Sequence, residues 1–272
     1  PPVLRPEHPP VRQLAELAEL FADSVIGDPV GVELTGITLA TADLRPGEVF
    51  VAIAGAHRHG AEFAAAAAEA GAVAVITDAA GAAIAAGAGI PVLIVDNPRA
   101  LLGTLSAWVY GTGTGSDTLS GRALAAASKD LPPMPLLFGT TGTNGKTSVS
   151  HLLEGILQQV GAVTGLSSTA ERHIGDQIVV SRLTTPEASE MHALLALMRE
   201  RGVEAVAVEV SAQALSRHRV DGIVFDVAGF TNLSHDHLDD YADMREYFEA
   251  KAPLFQPDRA RRGVVSLDTA AG

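Results

Sequence analysis

The sequence predicts an α/β protein in two parts: a small N-terminal α/β domain, then a domain with a mostly parallel sheet and a phosphate-binding loop. Three observations carry that expectation. Short apolar runs of strand length alternate with helix-forming segments, the pattern of a parallel sheet crossed by helices. The glycine-rich segment Gly139-Thr-Thr-Gly-Thr-Asn-Gly-Lys-Thr147 lies between a predicted strand and a predicted helix. A stretch rich in Gly, Thr, Ser and Pro, residues 111–135, separates one alternation from the next.

Taken in order, apolar residues from Val11 to Phe21 recur at helical spacing until Gly27, Asp28 and Pro29 stop them, which predicts an entry helix. Gly47 to Ala54 reads as a strand after a Pro-Gly turn, Ala61 to Ala70 as a helix, and Gly71 to Thr77 as a strand. Pro91 to Val95 repeats the strand signal, and the helix Arg99 to Tyr110 closes a first domain over 1–110. Residues 111–135 are expected to be a flexible or partly extended linker. In the second domain, 136–272, the expected order begins with strand Leu136 to Phe138 and helices Gly145 to Val160 and Glu187 to Arg201. Strands Val203 to Val210 and Val224 to Phe230, helix Met244 to Leu254 and strand Val264 to Leu267 follow, implying a mostly parallel sheet with helices on both faces.

Composition bounds the partners. The chain has 272 residues, 47% of them hydrophobic, which is ample for buried cores. A formal charge of -13 disfavours a nucleic-acid backbone or an anionic membrane as the main partner, so anionic ligands must be held by local donors. With no cysteine there is neither a disulfide framework nor a thiolate metal site. The proline-rich start lacks the charged and apolar regions of a signal peptide, and no run is long enough to span a bilayer, so a cytoplasmic protein is expected.

The chemistry concentrates on Gly142-Thr-Asn-Gly-Lys-Thr147. Glycines let backbone N–H groups curl around phosphate oxygens, the following helix adds its positive end, Lys146 neutralises charge, and the Thr147 hydroxyl can hold Mg²⁺. The usual spacing is altered, since Thr140 stands at the first glycine position and Gly139 lies one place earlier. Phosphoryl transfer also needs an acid on a neighbouring strand, and Glu209 ends the apolar run that begins at Val203. The segment Phe230 to Asp239 offers His235, Asp236, His237 and Asp239, readable by itself as a helix cap beside a surface histidine. Lys251, read from sequence alone, is an exposed helix lysine.

Several ordered motifs together resemble the Mur ligase family: Gly142 to Thr147, Leu183-Thr-Thr-Pro-Glu187, Glu209-Val-Ser211, Thr231 to Asp239 and Tyr247-Phe-Glu-Ala-Lys251. The Thr-Thr-Pro-Glu element is similar to the MurE branch, which adds the third amino acid to UDP-N-acetylmuramoyl-L-alanyl-D-glutamate. Thr35 to Leu39, Arg45 to Ala52 and Gly55 to Gly60 resemble segments of that family's uridine-nucleotide-binding domain. The resemblance implies a ligase that uses ATP and Mg²⁺ to convert a substrate carboxylate to an acyl phosphate, which an incoming amine (diaminopimelate or lysine) then displaces.

Residue by residue, it implies nucleotide binding by Gly142, Thr143, Asn144, Gly145, Lys146, Thr147 and Ser148. It places Thr147, Glu209, His237 and a carbamylated Lys251 around metal, with Lys146, Glu209, His237 and Lys251 as the catalytic set. Substrate contacts fall on Leu39, Thr41, Ala56, His57, Arg58, Thr184, Thr185, Ser211, Arg217 and Arg219. Ala40-Thr-Ala42 departs from the family's Asp-Ser-Arg, Ser211-Ala-Gln213 from its Ser-Ser-His, and His235 from its Arg. These changes leave open a specialised paralogue or a cyanophycin-synthetase-like ligase. The family continues beyond Gly272 into a third, C-terminal domain. The expectation is therefore that this chain is inactive alone, needing that domain as a partner, with a non-catalytic nucleotide- or partner-binding remnant as the alternative.

Overall fold

In the computed structural model, residues 3–113, 119–235 and 240–266 are described. Among them, two principal sheets form. The first has five strands in the order Ser24–Ile26, Val92–Ile94, Ala74–Thr77, Glu48–Val51, Gly36–Thr38, parallel except for the first, which is an antiparallel edge. The inner runs Glu48–Val51 and Ala74–Thr77 are buried at every position, as strands covered on both faces must be. Leu14, Leu17 and Ala18 of the helix Leu14–Phe21 pack with Trp108 and Val49 in its core. The predicted entry helix therefore begins later than Val11, because Arg12–Gln13 pairs antiparallel with Glu33–Leu34.

The second sheet has seven strands in the order Gln177–Val180, Glu171–Ile174, Thr164–Ser167, Ala205–Glu209, Leu136–Thr141, Val227–Phe230, Gly263–Val265. The last five are parallel; the first two form an antiparallel hairpin on one edge. The sequence reading passes straight from the helix ending near Val160 to the helix near Glu187 and misses this hairpin. Its strands are only four residues each, and Glu171–Ile174 mixes charged with apolar residues, so they carry no long period.

Two further expectations are corrected. The stretch 111–135 is not an extended linker throughout: Leu119–Ser128 is a helix, and its Leu124 is buried against the first domain's core. Alanine-rich composition favours this helix despite the flanking glycines. The predicted helix Met244 to Leu254 ends at Glu249 and resumes as a 3₁₀ turn, Ala252–Phe255, because Pro253 cannot donate the helical hydrogen bond.

The parts meet along the helices Pro98–Tyr110 and Ala188–Glu200, with Ala188, Ala193 and Ala196 packing into the first core. Small side chains let the helices approach closely. Gly103 lies so near the turn at Asp221 that a Cβ would sit 2.3 Å from the Asp221 carbonyl oxygen. Arg199 donates to the carbonyls of Gly111 at 2.6 Å and Tyr110 at 2.9 Å, satisfying the end of the first helix. No helix among the described residues is long and apolar enough to cross a membrane.

Candidate nucleotide and substrate site

Leu136–Thr141 pairs with Ala205–Glu209 on one side and Val227–Phe230 on the other. From it the chain first crosses to Thr164–Ser167 and only later fills the opposite side. Strand order thus reverses at this strand, and the loops leaving its carboxyl end and its neighbours' open a crevice there. Sequence fixes what fills it, since the loop Gly142 to Gly145, the acid Glu209 and the segment from Thr231 each follow one of these three strands.

Backbone conformation explains the glycines. Gly142 has φ +142° and Gly145 φ +85°. A Cβ on Gly142 would also lie 2.0 Å from Thr231 Oγ1. The loop is braced by the segment after the Val227–Phe230 strand: Thr143 N donates to Asn232 O at 2.8 Å, Asn144 N to Asn232 Oδ1 at 3.2 Å, and Thr231 Oγ1 to Asn144 O at 2.7 Å. Ser234 N donates to Thr143 Oγ1 at 3.0 Å. Lys146 opens the helix Lys146–Gln159 and donates from Nζ to Gly142 O at 3.0 Å and Thr143 O at 2.8 Å. Its ammonium is thereby held against the loop's own carbonyls.

Glu209 is fully buried, at 0% exposure. A single residue from the turn between the strands Thr164–Ser167 and Glu171–Ile174 orients it: Thr169 donates its N–H to Oε1 at 3.1 Å and its hydroxyl to Oε2 at 3.0 Å. Such donors hold the charged form in place. Below it, Thr185 donates from Oγ1 to Glu209 O at 2.8 Å. Lys251 is also buried, at 1% exposure, with Nζ 3.5 Å from the centre of the Tyr247 ring. The exposed-lysine reading is therefore overturned. The short helix Met244–Glu249 packs Tyr247 on Tyr241 and delivers Lys251 inward.

These groups line one cavity of about 490 Å³, formed by Thr143 to Thr147, Thr169, Leu183, Thr184, Glu209, Ser211, Ala212, Gln213, Arg217, Arg219, Asp240, Tyr247 and Lys251. Arg219 is aimed by two contacts, Nε to Glu187 Oε1 at 3.0 Å and Nη1 to Thr185 O at 3.4 Å. Glu187 also accepts from Arg99 of the first domain at 2.6 Å, so the interdomain seam helps set the cavity wall.

Among the expected site residues, Thr143, Asn144, Gly145, Lys146, Thr147, Thr184, Glu209, Ser211, Arg217, Arg219 and Lys251 converge on this cavity. Gly142 shapes the loop and Thr185 lies buried beneath the wall. Ser148 is exposed on the helix and does not line the cavity. His237, with Asp236 and Asp239, lies outside the described residues.

Leu39, Thr41 and Ala56 to Arg58 sit apart, in the first domain. They follow the adjacent parallel strands Gly36–Thr38 and Glu48–Val51, which puts both loops at one edge of that sheet. Leu39 packs on the core, Thr41 opens a 3₁₀ turn, and His57 is exposed. Arg58 is engaged with Glu62 at 2.7 Å. An Asp43–Arg182 contact of 3.6 Å ties the Thr41 turn to the segment that carries Thr184. Thr169, Thr231, Asn232 and Glu187 are positioning residues that sequence reasoning did not assign; Thr231, Asn232 and Glu187 had a signal, lying inside motifs already singled out, and Thr169 had none.

Comparison with known proteins agrees with this architecture. The family model described as Mur ligase family, catalytic domain, matches residues 33–110, and that described as Mur ligase middle domain matches residues 140–271. The chain is 58% identical over 272 residues to the UDP-N-acetylmuramyl-tripeptide synthetase of Leifsonia xyli subsp. xyli, covering 100% of this chain and 49% of the relative. It is 48% identical over 265 residues to the UDP-N-acetylmuramoyl-L-alanyl-D-glutamate--2,6-diaminopimelate ligase of Streptomyces coelicolor, covering 97% and 49%. A solved structure of a UDP-N-acetylmuramoyl-L-alanyl-D-glutamate--2,6-diaminopimelate ligase shares the fold at TM-score 0.74 and 24% identity, over 96% of this chain and 48% of that one. The chain spans about half the length of the curated relatives it matches.

Proposed function

Since the chain belongs to the Mur ligase family and carries its N-terminal and middle domains, we propose that it supplies the ATP-binding and UDP-substrate-binding parts of a MurE-type ligase. The reaction is addition of a third amino acid, diaminopimelate or lysine, to UDP-N-acetylmuramoyl-L-alanyl-D-glutamate in peptidoglycan biosynthesis. The observation that carries the reading is the convergence of Lys146, buried Glu209 and buried Lys251 on one cavity that Thr184, Ser211, Arg217 and Arg219 also line.

In that cavity the braced loop and the start of the helix Lys146–Gln159 would hold the β- and γ-phosphates of ATP, with Lys146 turning from the loop carbonyls to the phosphate oxygens. Arg217 and Arg219 would orient the anionic muramoyl-peptide so that its carboxylate faces the γ-phosphoryl group. Attack forms a carboxyl–phosphate bond and breaks the bond to ADP. The amine of the third amino acid then forms the amide and releases phosphate. Loops at the first sheet's edge, with Leu39, Thr41, Ala56, His57 and Arg58, would take the uridine end.

The residues fit Mg²⁺. Thr147 and Glu209 offer hard oxygen donors on one cavity wall, and each Glu209 oxygen keeps lone-pair capacity beyond its Thr169 contact. Lys251 would join them as a carbamate, which turns a buried cation into an anion, and His237 is assigned with them. When bound, the ion would neutralise charge that develops on the transferred phosphoryl group. Isothermal titration of the chain with ATP plus Mg²⁺ is expected to show one saturable site that disappears in Lys146→Ala; no heat of binding in the parent would end the nucleotide reading. Phosphate release by the whole ligase, dependent on UDP-muramoyl dipeptide and not on other carboxylates, checks the substrate.

A further inference from the structure

One turn beyond Thr147 on the helix Lys146–Gln159, a second polar cluster lies against the edge hairpin. His151 on the helix and Glu171 and His173 on the strand Glu171–Ile174 present one ligand atom each, all within 4.8 Å of one another. None of them lines the nucleotide cavity. Glu171 Oε1 lies 3.4 Å from His151 Nε2 and 3.1 Å from His173 Nε2.

The partners of the other ring nitrogens decide what these contacts can be. His173 Nδ1 lies 2.9 Å from both oxygens of Glu154, and His151 Nδ1 lies 3.0 Å from the carbonyl oxygen of Thr147. Carboxylates and carbonyls only accept, so each Nδ1 carries the proton, and each neutral ring turns an Nε2 lone pair toward Glu171. Two lone pairs facing a carboxylate oxygen repel unless a cation lies between them or both rings are charged. The His151 contact has hydrogen-bond geometry, but His173 Nε2 is buried and its contact with Glu171 lacks it, which argues against a proton filling that second gap.

We infer that His151, Glu171 and His173 form a binding site for a divalent transition metal of the Zn²⁺ class, with solvent completing the coordination. Bonds of about 2.0–2.2 Å place tetrahedral ligands roughly 3.3–3.6 Å apart, close to the two spacings found. Glu154, 4% exposed and itself bonded by Thr164 Oγ1 at 3.3 Å, is the carboxylate that orients a ligating histidine from behind. His151 and Glu171 are 34% and 37% exposed at their side chains, so an ion can enter and a water can stay. Two imidazoles and one carboxylate select borderline metals over Mg²⁺, which keeps this site chemically distinct from the nucleotide's. The ion would tie the edge hairpin to the nucleotide-binding helix one turn after Thr147.

The test is equilibrium binding of Zn²⁺, and of Co²⁺ read by its visible absorption, to the untagged chain in excess Mg²⁺. One equivalent is expected to bind, with affinity falling at least tenfold in His151→Gln, in His173→Gln and in Glu171→Gln. Glu154→Gln, which leaves the three ligands intact, is expected to weaken binding by about 10–100-fold. Circular dichroism of every variant distinguishes lost ligands from lost fold. Absence of binding in the folded parent, or binding undiminished in the folded double variant His151→Gln/His173→Gln, would overturn the site.

Discussion

Two buried charged residues, Glu209 and Lys251, define the cavity. Glu209 was legible because an acid closing an apolar strand next to a phosphate loop has few other uses. Its clamp by Thr169 was not, since Thr169 comes from the turn between the strands Thr164–Ser167 and Glu171–Ile174, 40 residues away. Glu209→Gln keeps the shape but turns an amide N–H₂ toward donors, and we expect affinity for ATP to fall at least about tenfold with Mg²⁺ present. Without Mg²⁺ it should change little; an equal loss in both titrations would show that the residue does not act through the ion. Lys251 is the opposite case. A Lys in a short helix reads as solvated, and only the fold shows it against Tyr247 at 1% exposure. In ¹³C NMR with labelled bicarbonate, the parent should show a carbamate resonance that Lys251→Arg lacks; a resonance persisting in that variant would remove Lys251 from the metal set.

At the scale of elements, the phosphate loop owes its shape as much to the segment after Phe230 as to its own glycines. Gly142→Ala is expected to destabilise by about 1–3 kcal/mol and to weaken nucleotide binding, because the added methyl meets Thr231 and the backbone of Asn232. Gly155→Ala, in the following helix with nothing within 4 Å of the new atom, should instead stabilise by about 0.5–1 kcal/mol. Urea unfolding of the two variants checks the contrast. The helix itself was readable, but not its orientation: Val149, Leu152 and Ile156 face outward, whereas Ser150 and Glu154 are buried. Glu154 is drawn inward by Thr164 of the strand Thr164–Ser167 and by His173 of the edge hairpin, neither of which local sequence announced.

At the scale of the molecule, the two parts are joined by polar contacts buried between helices. His192 is fully buried between Thr112 Oγ1 at 2.7 Å and the Asp221 carbonyl at 2.9 Å. The carbonyl only accepts, so Nε2 carries the proton and Nδ1 accepts from Thr112. Burial pushes its pKa from 6.5 down to about 4. Between those values the unfolded chain binds a proton that the folded chain refuses, so stability falls as pH drops through that window, by on the order of 3 kcal/mol. Urea midpoints measured across it should fall for the parent and flatten in His192→Gln, which keeps one acceptor and one donor. A parent-like slope in the variant would place the acid sensitivity elsewhere.

Composition, strand–helix alternation and short motifs determined the α/β class, the loop Gly142 to Thr147 and Glu209, because each rests on local chain geometry or on chemistry confined to a few neighbouring positions; Thr184, Ser211, Arg217 and Arg219 were expected only through the resemblance to the Mur ligase family. Tertiary structure alone decided that Lys251 is buried, that Thr169 and Glu187 aim the site, that residues 119–128 pack as a helix, and that His151, Glu171 and His173 meet. Those facts depend on which strands become neighbours and which helix faces they bury. Such pairings are set by the summed burial of the whole chain, and no local window of sequence contains them.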